Sequence, residues 1–369
     1  MKLPADGLLR GLRVLEVAPF LPGPFCAQVL SDLGADVIKI EPPGGDPARE
    51  LEDGIYTAAN RNKRAVQLDL KSADGTRKVL ELAKDADVLI EGFRAGVMDR
   101  LGLGHAAVAA TNQAVVYCSI SGYGQTGPKR QSAGHDLTFL ADAGGLWFSP
   151  HVGEAPRRSG IPVADLAASS YAAISILAAL RRRDLTGQGC HLDVAIADAL
   201  LAFASPRAGA DFARSDAPAG IAYATNEVYE AADGRHLAVA AVEEKFWRTL
   251  QLVLSPFDAR INDPAFGTAS GRRRHAGELK AVLAEILVQQ DAAAWLDLFA
   301  RADVPAALVR SPLEAAADEH AVARGIVQRS PGGSRYVAFP VLMDGSVLGT
   351  VRSDPPALGG TTADLSWRV

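Results

Sequence analysis

Residues Leu166–Leu180 read LAASSYAAISILAAL, a stretch with no charged side chain and only three serines and a tyrosine among apolar or small residues. A helix built from it has no polar face, so it predicts a buried core helix against which the remaining elements pack. Asp165 stands at the front edge of this helix and Arg181, Arg182 and Arg183 close its far end. The first turn of a helix leaves backbone N–H groups unpaired at the positive end of the macrodipole, which suits a carboxylate, and cations suit the other end. A plain N-cap explains an isolated aspartate in this position. A chemical role for Asp165 therefore has to come from its neighbours.

The chain has 369 residues, 48% of them hydrophobic, and a formal net charge of -5. That length predicts two compact units rather than one core. The acidic balance gives no support to nucleic-acid binding. The first residues, MKLPADGLLRG, lack the apolar centre of a signal peptide, and the Leu166–Leu180 run is short and alanine-rich for a membrane span, so a cytoplasmic protein without a membrane partner is expected. Cys26, Cys118 and Cys190 are widely separated and fit no metal-ligand spacing, and the histidines are scattered, so no metal site is expected.

Short apolar runs alternate with helical segments through the first part of the chain. LRVLEV (Leu12–Val17), ADVIKIE (Ala35–Glu41), Ala65–Leu70, DVLIEG (Asp87–Gly92) and Ala114–Ile120 read as strands. Helices are expected from about Phe25 to Leu33, from Ser72 to Asp85 and near His105–Thr111. This alternation predicts a parallel sheet covered on both faces, a Rossmann-like α/β domain. The loop after the first strand, PFLPGP, is not a G-x-G-x-x-G, and no P-loop occurs, which removes the usual sequence support for NAD or ATP. Open parallel sheets still bind ligands at the carboxyl ends of their strands. Loops there carry Lys39, Arg61, Lys63, Arg64, Arg94, Arg100, Lys129 and Arg130, each explicable singly as a solvated charge but together suited to a small polyphosphate.

The large domain is expected over residues 1–203. Residues 204–222, rich in Ala, Gly, Pro, Asp and Ser, read as a linker. From 223 to about 320, two strands joined at Ala232-Asp233-Gly234, a helix starting near Glu243, two further helices and one more strand predict a smaller α+β domain. Residues 321–369 hold a few strand-like runs and are expected to return to the large domain.

The blocks GPFCAQVLSDLGADVIKIEPPGGDPAR, ANRNKRAVQLDLKSADG, ADVLIEGFRAGVMDRLGLG, ISGYGQTGP, AGHD, the VAD of Asp165 and TGQG follow in an order that resembles the class III CoA-transferase superfamily (CaiB/BaiF type). The resemblance covers most of the chain. It implies an acyl-CoA substrate, with coenzyme A entering as part of that substrate and no cofactor held permanently, and an interlocked homodimer. In transferases of this superfamily the aspartate matching Asp165 attacks the acyl-CoA thioester and then carries CoA as an enzyme thioester. In its alpha-methylacyl-CoA racemases the matching aspartate is an acid/base group, paired with the histidine of a GHD motif, here Gly134-His135-Asp136, and with a glutamate matched by Glu243 in AVEEKF.

Leu21-Pro22-Gly23-Pro24 resembles the racemase G-P-G-P, whereas formyl-CoA transferase has glutamine where Leu21 stands, and residues 219–226, AGIAYATN, lack the glycine-rich loop that shields the transferase intermediate. The sequence therefore leads to an acyl-CoA racemase acting on a 2-methylacyl-CoA, with His135 and Asp165 as two opposed bases and Glu243 orienting the histidine. Inverting a carbon alpha to a thioester requires removal of a proton on one face and delivery on the other. Two alternatives stand beside it: a CoA transferase with Asp165 as nucleophile, and a CoA-binding protein without turnover. Carried over from the family, the CoA contacts are Lys39, Arg61, Arg64, Phe93 and Arg100.

Overall fold

The computed structural model describes residues 7–51, 54–148, 157–213, 223–359 and 366–368. The chain divides into a larger unit, residues 1–147, 157–213 and 318–369, and a smaller one, residues 148–156 and 214–317.

In the larger unit, β1 (Arg13–Val17), β2 (Asp36–Glu41), β3 (Arg64–Gln67), β4 (Val88–Glu91), β5 (Val116–Ser121) and β6 (Cys190–Ala195) form one sheet in the order β3-β2-β1-β4-β5-β6. Every pairing is parallel, with Leu15 opposite Ile38 on one side and Leu89 on the other. Because both faces are covered, residues of either parity are buried in β1, β2, β4 and β5, which is why those runs read as largely apolar, whereas the edge strand β6 exposes His191 and Asp193. One face packs on α1 (Pro22–Asp32), α6 (Asp136–Asp142), α7 (Val163–Thr186) and α8 (Ile196–Ala213), the other on α3 (Ala73–Ala83), α4 (Val97–Arg100) and α5 (His105–Thr111), while the short α2 (Ile55–Ala59) precedes β3. Strand order reverses between β1 and β4. In a sheet of this kind the crevice at that switch point, outside the strands' carboxyl ends, is where ligands bind.

Helix α1 begins at Pro22, earlier than the expected Phe25. Proline's fixed φ and missing N–H suit the first helical position, so the PGP sequence opens the helix instead of preceding it. Helix α8 continues to Ala213, so the first half of the expected linker at 204–222 is helical, and the rest of it, from 214, lies outside the described residues.

The long helix α7 differs from its expected state. Ala164, Ala168, Ala172, Ile176 and Leu180, four residues apart, form its buried ridge, yet Tyr171 and Ile174 on the far side are 38% and 63% exposed. The sequence has no polar face there, and among the described residues nothing covers that side. Its length and apolarity would suffice to cross a membrane, but its buried ridge is the centre of the α/β core.

The C-terminal segment lies on the larger unit. Asn62 Nδ2 donates to Thr350 O at 2.7 Å, Asn62 Oδ1 accepts from Arg352 N at 2.6 Å and Ser353 N at 3.0 Å, and Trp367 packs on the α3 side of the sheet. In the smaller unit, antiparallel β7 (Asn226–Glu230), β8 (His236–Ala240) and β9 (Ala306–Leu308) carry α9 (Glu244–Leu254), α10 (Ala269–Arg274), α11 (Ala276–Leu287) and α12 (Ala292–Arg301) around Trp247, Trp295 and Phe299.

Candidate active site

Two cavities open at the switch point. The first, about 360 Å³, is lined by the loop after β1 (Pro19, Phe20), the loop after β4 (Phe93, Arg94), the end of β5 and both His135 and Asp165. The second, about 330 Å³ and mostly apolar, lies beyond Phe20 among Val17, Ile40, Pro42, Pro43, Pro47, Leu70, Lys71, Phe93 and Leu101. Pro19, Phe20 and Phe93 border both. Past Leu70, Lys71 and Leu101 the second cavity runs into a surface groove that adds Arg77, Lys84 and Arg100.

His135 is the N-cap residue of α6, exposed at the cavity rim, with its backbone N–H donating to Thr138 Oγ1 at 2.9 Å. Its ring meets the Phe20 ring edge-on, centroids 6.1 Å apart. The preceding glycine is required by packing, since a Cβ on Gly134 would sit 2.4 Å from the Phe139 ring.

Asp165 occupies the third position of α7, behind Pro162 as N-cap. The free N–H groups that could have stabilised its charge are taken by another carboxylate. Asp136 Oδ1 accepts from Ala164 N at 2.8 Å and Asp165 N at 3.2 Å. Burial of the Asp165 carboxyl, and then the like charge of Asp136, push its pKa from 3.8 up to about 7. The expected stabilisation of charge at this helix start is thereby reversed. Ser169 Oγ, one turn on, donates to Pro22 O at 2.8 Å and fixes this end of α7 against the start of α1.

Glu243 belongs to the smaller unit. It is the N-cap residue of α9, exposed and without a side-chain capping bond. The cavity holding His135 and Asp165 is lined from the larger unit.

Three of the five expected CoA contacts hold the fold together instead. Lys39 is fully buried, its Nζ 2.6 Å from Glu16 Oε1, 2.8 Å from Asp46 Oδ2 and 2.7 Å from Ala18 O. Burial alone would lower its pKa, but the two carboxylates outweigh that and raise it, so it stays a cation. Lys63 completes this cluster at 2.7 Å from Glu16 Oε2, with its pKa lowered by burial to about 8. Arg61 is paired with Asp32 at 2.5 Å, and Arg64 with Asp36 at 2.6 Å. Charges this buried cannot be left without a partner, which is why strand-end cations were recruited inward. Phe93 does line both cavities, and Arg100 lines the groove.

Lys71 and Phe20 also line these cavities, although no motif in the sequence singles out either one. Lys71 follows the third strand in LDLK, where the strand-end rule already pointed, and among the described residues neither it nor Arg100 is engaged in an ion pair. Phe20 carried no signal beyond its place in the first loop.

A Rossmann-like domain thus carries at its switch point a half-buried carboxylate of raised pKa beside an apolar cavity with a basic margin. The chain belongs to CoA-transferase family III, whose family model matches residues 9–362. It is 34% identical to an acetyl-CoA:oxalate CoA-transferase of Acetobacter aceti, over 93% of this chain and 90% of that one. It is 33% identical to a succinyl-CoA–D-citramalate CoA-transferase of Chloroflexus aurantiacus, over 86% and 82%. The crystal structure of a CaiB/BaiF family protein from Brucella suis superposes with a TM-score of 0.86 at 30% identity, covering 96% of this chain and 97% of that one. The named relatives are transferases, so the expectation of a racemase finds no support among them.

Proposed function

We propose that the protein is a class III CoA transferase that moves CoA between small carboxylic acids with Asp165 as nucleophile. The observation that carries this reading is the placement of Asp165: half-buried, at the wall of a cavity of about 360 Å³, with its carboxyl pushed up to about 7. A desolvated carboxylate is a stronger base and nucleophile than one in water, and it attacks once ionised.

In this scheme Asp165 attacks the thioester carbonyl and expels the CoA thiolate, leaving a mixed anhydride. The thiolate returns to the aspartyl carbonyl, releases the first carboxylate and leaves CoA on Asp165 as a thioester. An incoming carboxylate repeats the two steps in reverse. Proton transfer is incidental to this sequence, and His135, at the rim, serves as a hydrogen-bond donor to the carbonyl oxygen. The apolar cavity with Phe93, Pro42 and Pro43 takes the nucleoside end of CoA, and Lys71 and Arg100 take phosphate charge. CoA is substrate here, and no resident cofactor is required. The named relatives act on oxalate and D-citramalate, which makes small dicarboxylic acids the acceptors to try first.

The test is to incubate the protein with succinyl-CoA and a panel of small dicarboxylic acids, then trap with hydroxylamine or borohydride. Modification confined to Asp165 by peptide mass, lost in Asp165→Ala, supports the scheme. Deuterium incorporation at the alpha carbon of a 2-methylacyl-CoA without any acceptor acid, and no adduct, would overturn it in favour of two-base exchange between His135 and Asp165. The uncovered apolar side of α7, with Ile174 and Tyr171, and the exposed Phe203 of α8 are assigned to a second copy of the chain in a homodimer, checked by light scattering.

A further inference from the structure

Four non-glycine residues among those described have positive φ: Phe20, Asn62, Asp303 and Asp344. Asn and Asp tolerate the left-handed region because their short polar side chains bond locally, whereas an aromatic residue there is strained. Phe20, at φ 63°, is thus the exception, and its strained conformation must be held by its surroundings.

The buried ion cluster does the holding. Phe20 N–H donates to Asp46 Oδ1 at 3.2 Å, and the same oxygen accepts from Ala48 N at 2.9 Å. Asp46 Oδ2 pairs with Lys39 Nζ, which also donates to Ala18 O. One buried pair therefore pins the chain on both sides of Pro19. The conformation it enforces places the Phe20 ring, 39% exposed, on the wall common to the two cavities and edge-on to His135.

We propose that Phe20 is the partition that sets where the arm of an acyl-CoA crosses from the apolar cavity into the reaction cavity, a positioning residue clasped in its strained conformation by Lys39 and Asp46. This rests on the CoA-thioester reading above. The ring fixes the depth at which the thioester stops beside Asp165, and it keeps His135 from rotating into the space between the cavities. Its backbone clasp explains why a lysine at a strand end is buried among carboxylates instead of facing a phosphate.

Three variants separate ring from strain. Phe20→Gly removes the ring and is at ease at positive φ; Phe20→Ala removes the ring but keeps the strain; Phe20→Leu restores bulk. Free CoA binding by calorimetry and steady-state transfer from succinyl-CoA are measured on each, with melting curves. The expected result is Phe20→Gly melting no lower than wild type and binding CoA within about threefold, while kcat falls about tenfold or more because the thioester is misplaced. Phe20→Ala shows the same fall in kcat with a lower melting temperature than Phe20→Gly, and Phe20→Leu recovers part of kcat. Wild-type transfer with Phe20→Gly unchanged in kcat and KM overturns the partition and leaves the transferase reading standing. A wild-type protein that neither binds CoA nor transfers it overturns the transferase reading itself.

Discussion

Asp165 is worse placed for negative charge than its position on a helix suggests, because its carboxyl is buried, and because Asp136 occupies N–H groups at the start of α7 and adds a like charge nearby. A raised folded-state pKa means that the folded protein keeps this proton between its ordinary value of 3.8 and about 7, while the unfolded chain does not. Its contribution to stability is therefore fully present below 3.8 and lost as pH rises to about 7. Asp165→Asn is expected to melt higher than wild type, by a margin that grows from pH 5 to pH 7 and then stays flat, read by melting curves across that range. The same proton governs chemistry, since only the ionised carboxylate attacks. The rising limb of kcat/KM against pH should fall near 7 and move to lower pH in Asp136→Asn, which keeps the capping oxygen and removes the charge. A limb that does not move would mean that burial alone sets this group.

At the scale of elements, the meeting of the β1 loop with the starts of α1 and α7 decides whether the site forms. Ser169 ties α7 to Pro22, and Gly23 lies so close to the first loop that a Cβ would meet that of Ala18 at 2.3 Å. Gly23→Ala must push the loop carrying Phe20 outward. The expected cost is about 1–3 kcal/mol of stability from overpacking, read by urea unfolding. A fall in kcat of about tenfold to a hundredfold accompanies it, since reacting groups tolerate little displacement. Full activity in this variant would show that the loop's position is not critical. The small residues along α7 work the same way. Alanines at Ala164, Ala168 and Ala172 let neighbouring elements approach closely, so the helix that organises the fold does so by being thin.

For the whole molecule, the chain's last segment is a structural part of its first domain. Asn62 is the fastener, bonding Asp32 at 2.8 Å and accepting from two backbone N–H groups of residues 352 and 353, at a positive φ that asparagine tolerates. Asn62→Ala leaves those partners unsatisfied in a buried place. It is expected to destabilise the larger unit by about 2–4 kcal/mol, since each orphaned buried group costs about 1–3 kcal/mol. Faster proteolytic clipping after Asp318 should accompany the loss, and unchanged protection would show that the C-terminal packing around Trp367 suffices alone.

Much of this was legible in the chain itself, because hydrophobic runs and breakers are local. Five of the six strands of the large domain, the helix behind Asp165, and the Gly134-His135-Asp136 motif follow from residues adjacent in sequence, whereas the edge strand Cys190–Ala195, half exposed, carries no continuous apolar run. So does the rule that ligands gather beyond strand ends. Only the tertiary structure decided what each charge does. Lys39 faces inward because Glu16 and Asp46 arrive from other segments, and the pKa of Asp165 is raised because folding buries its carboxyl and, secondarily, brings Asp136 to it from a separate helix. Electrostatic roles depend on partners brought together by folding, and a sequence states which charges exist without stating which of them meet.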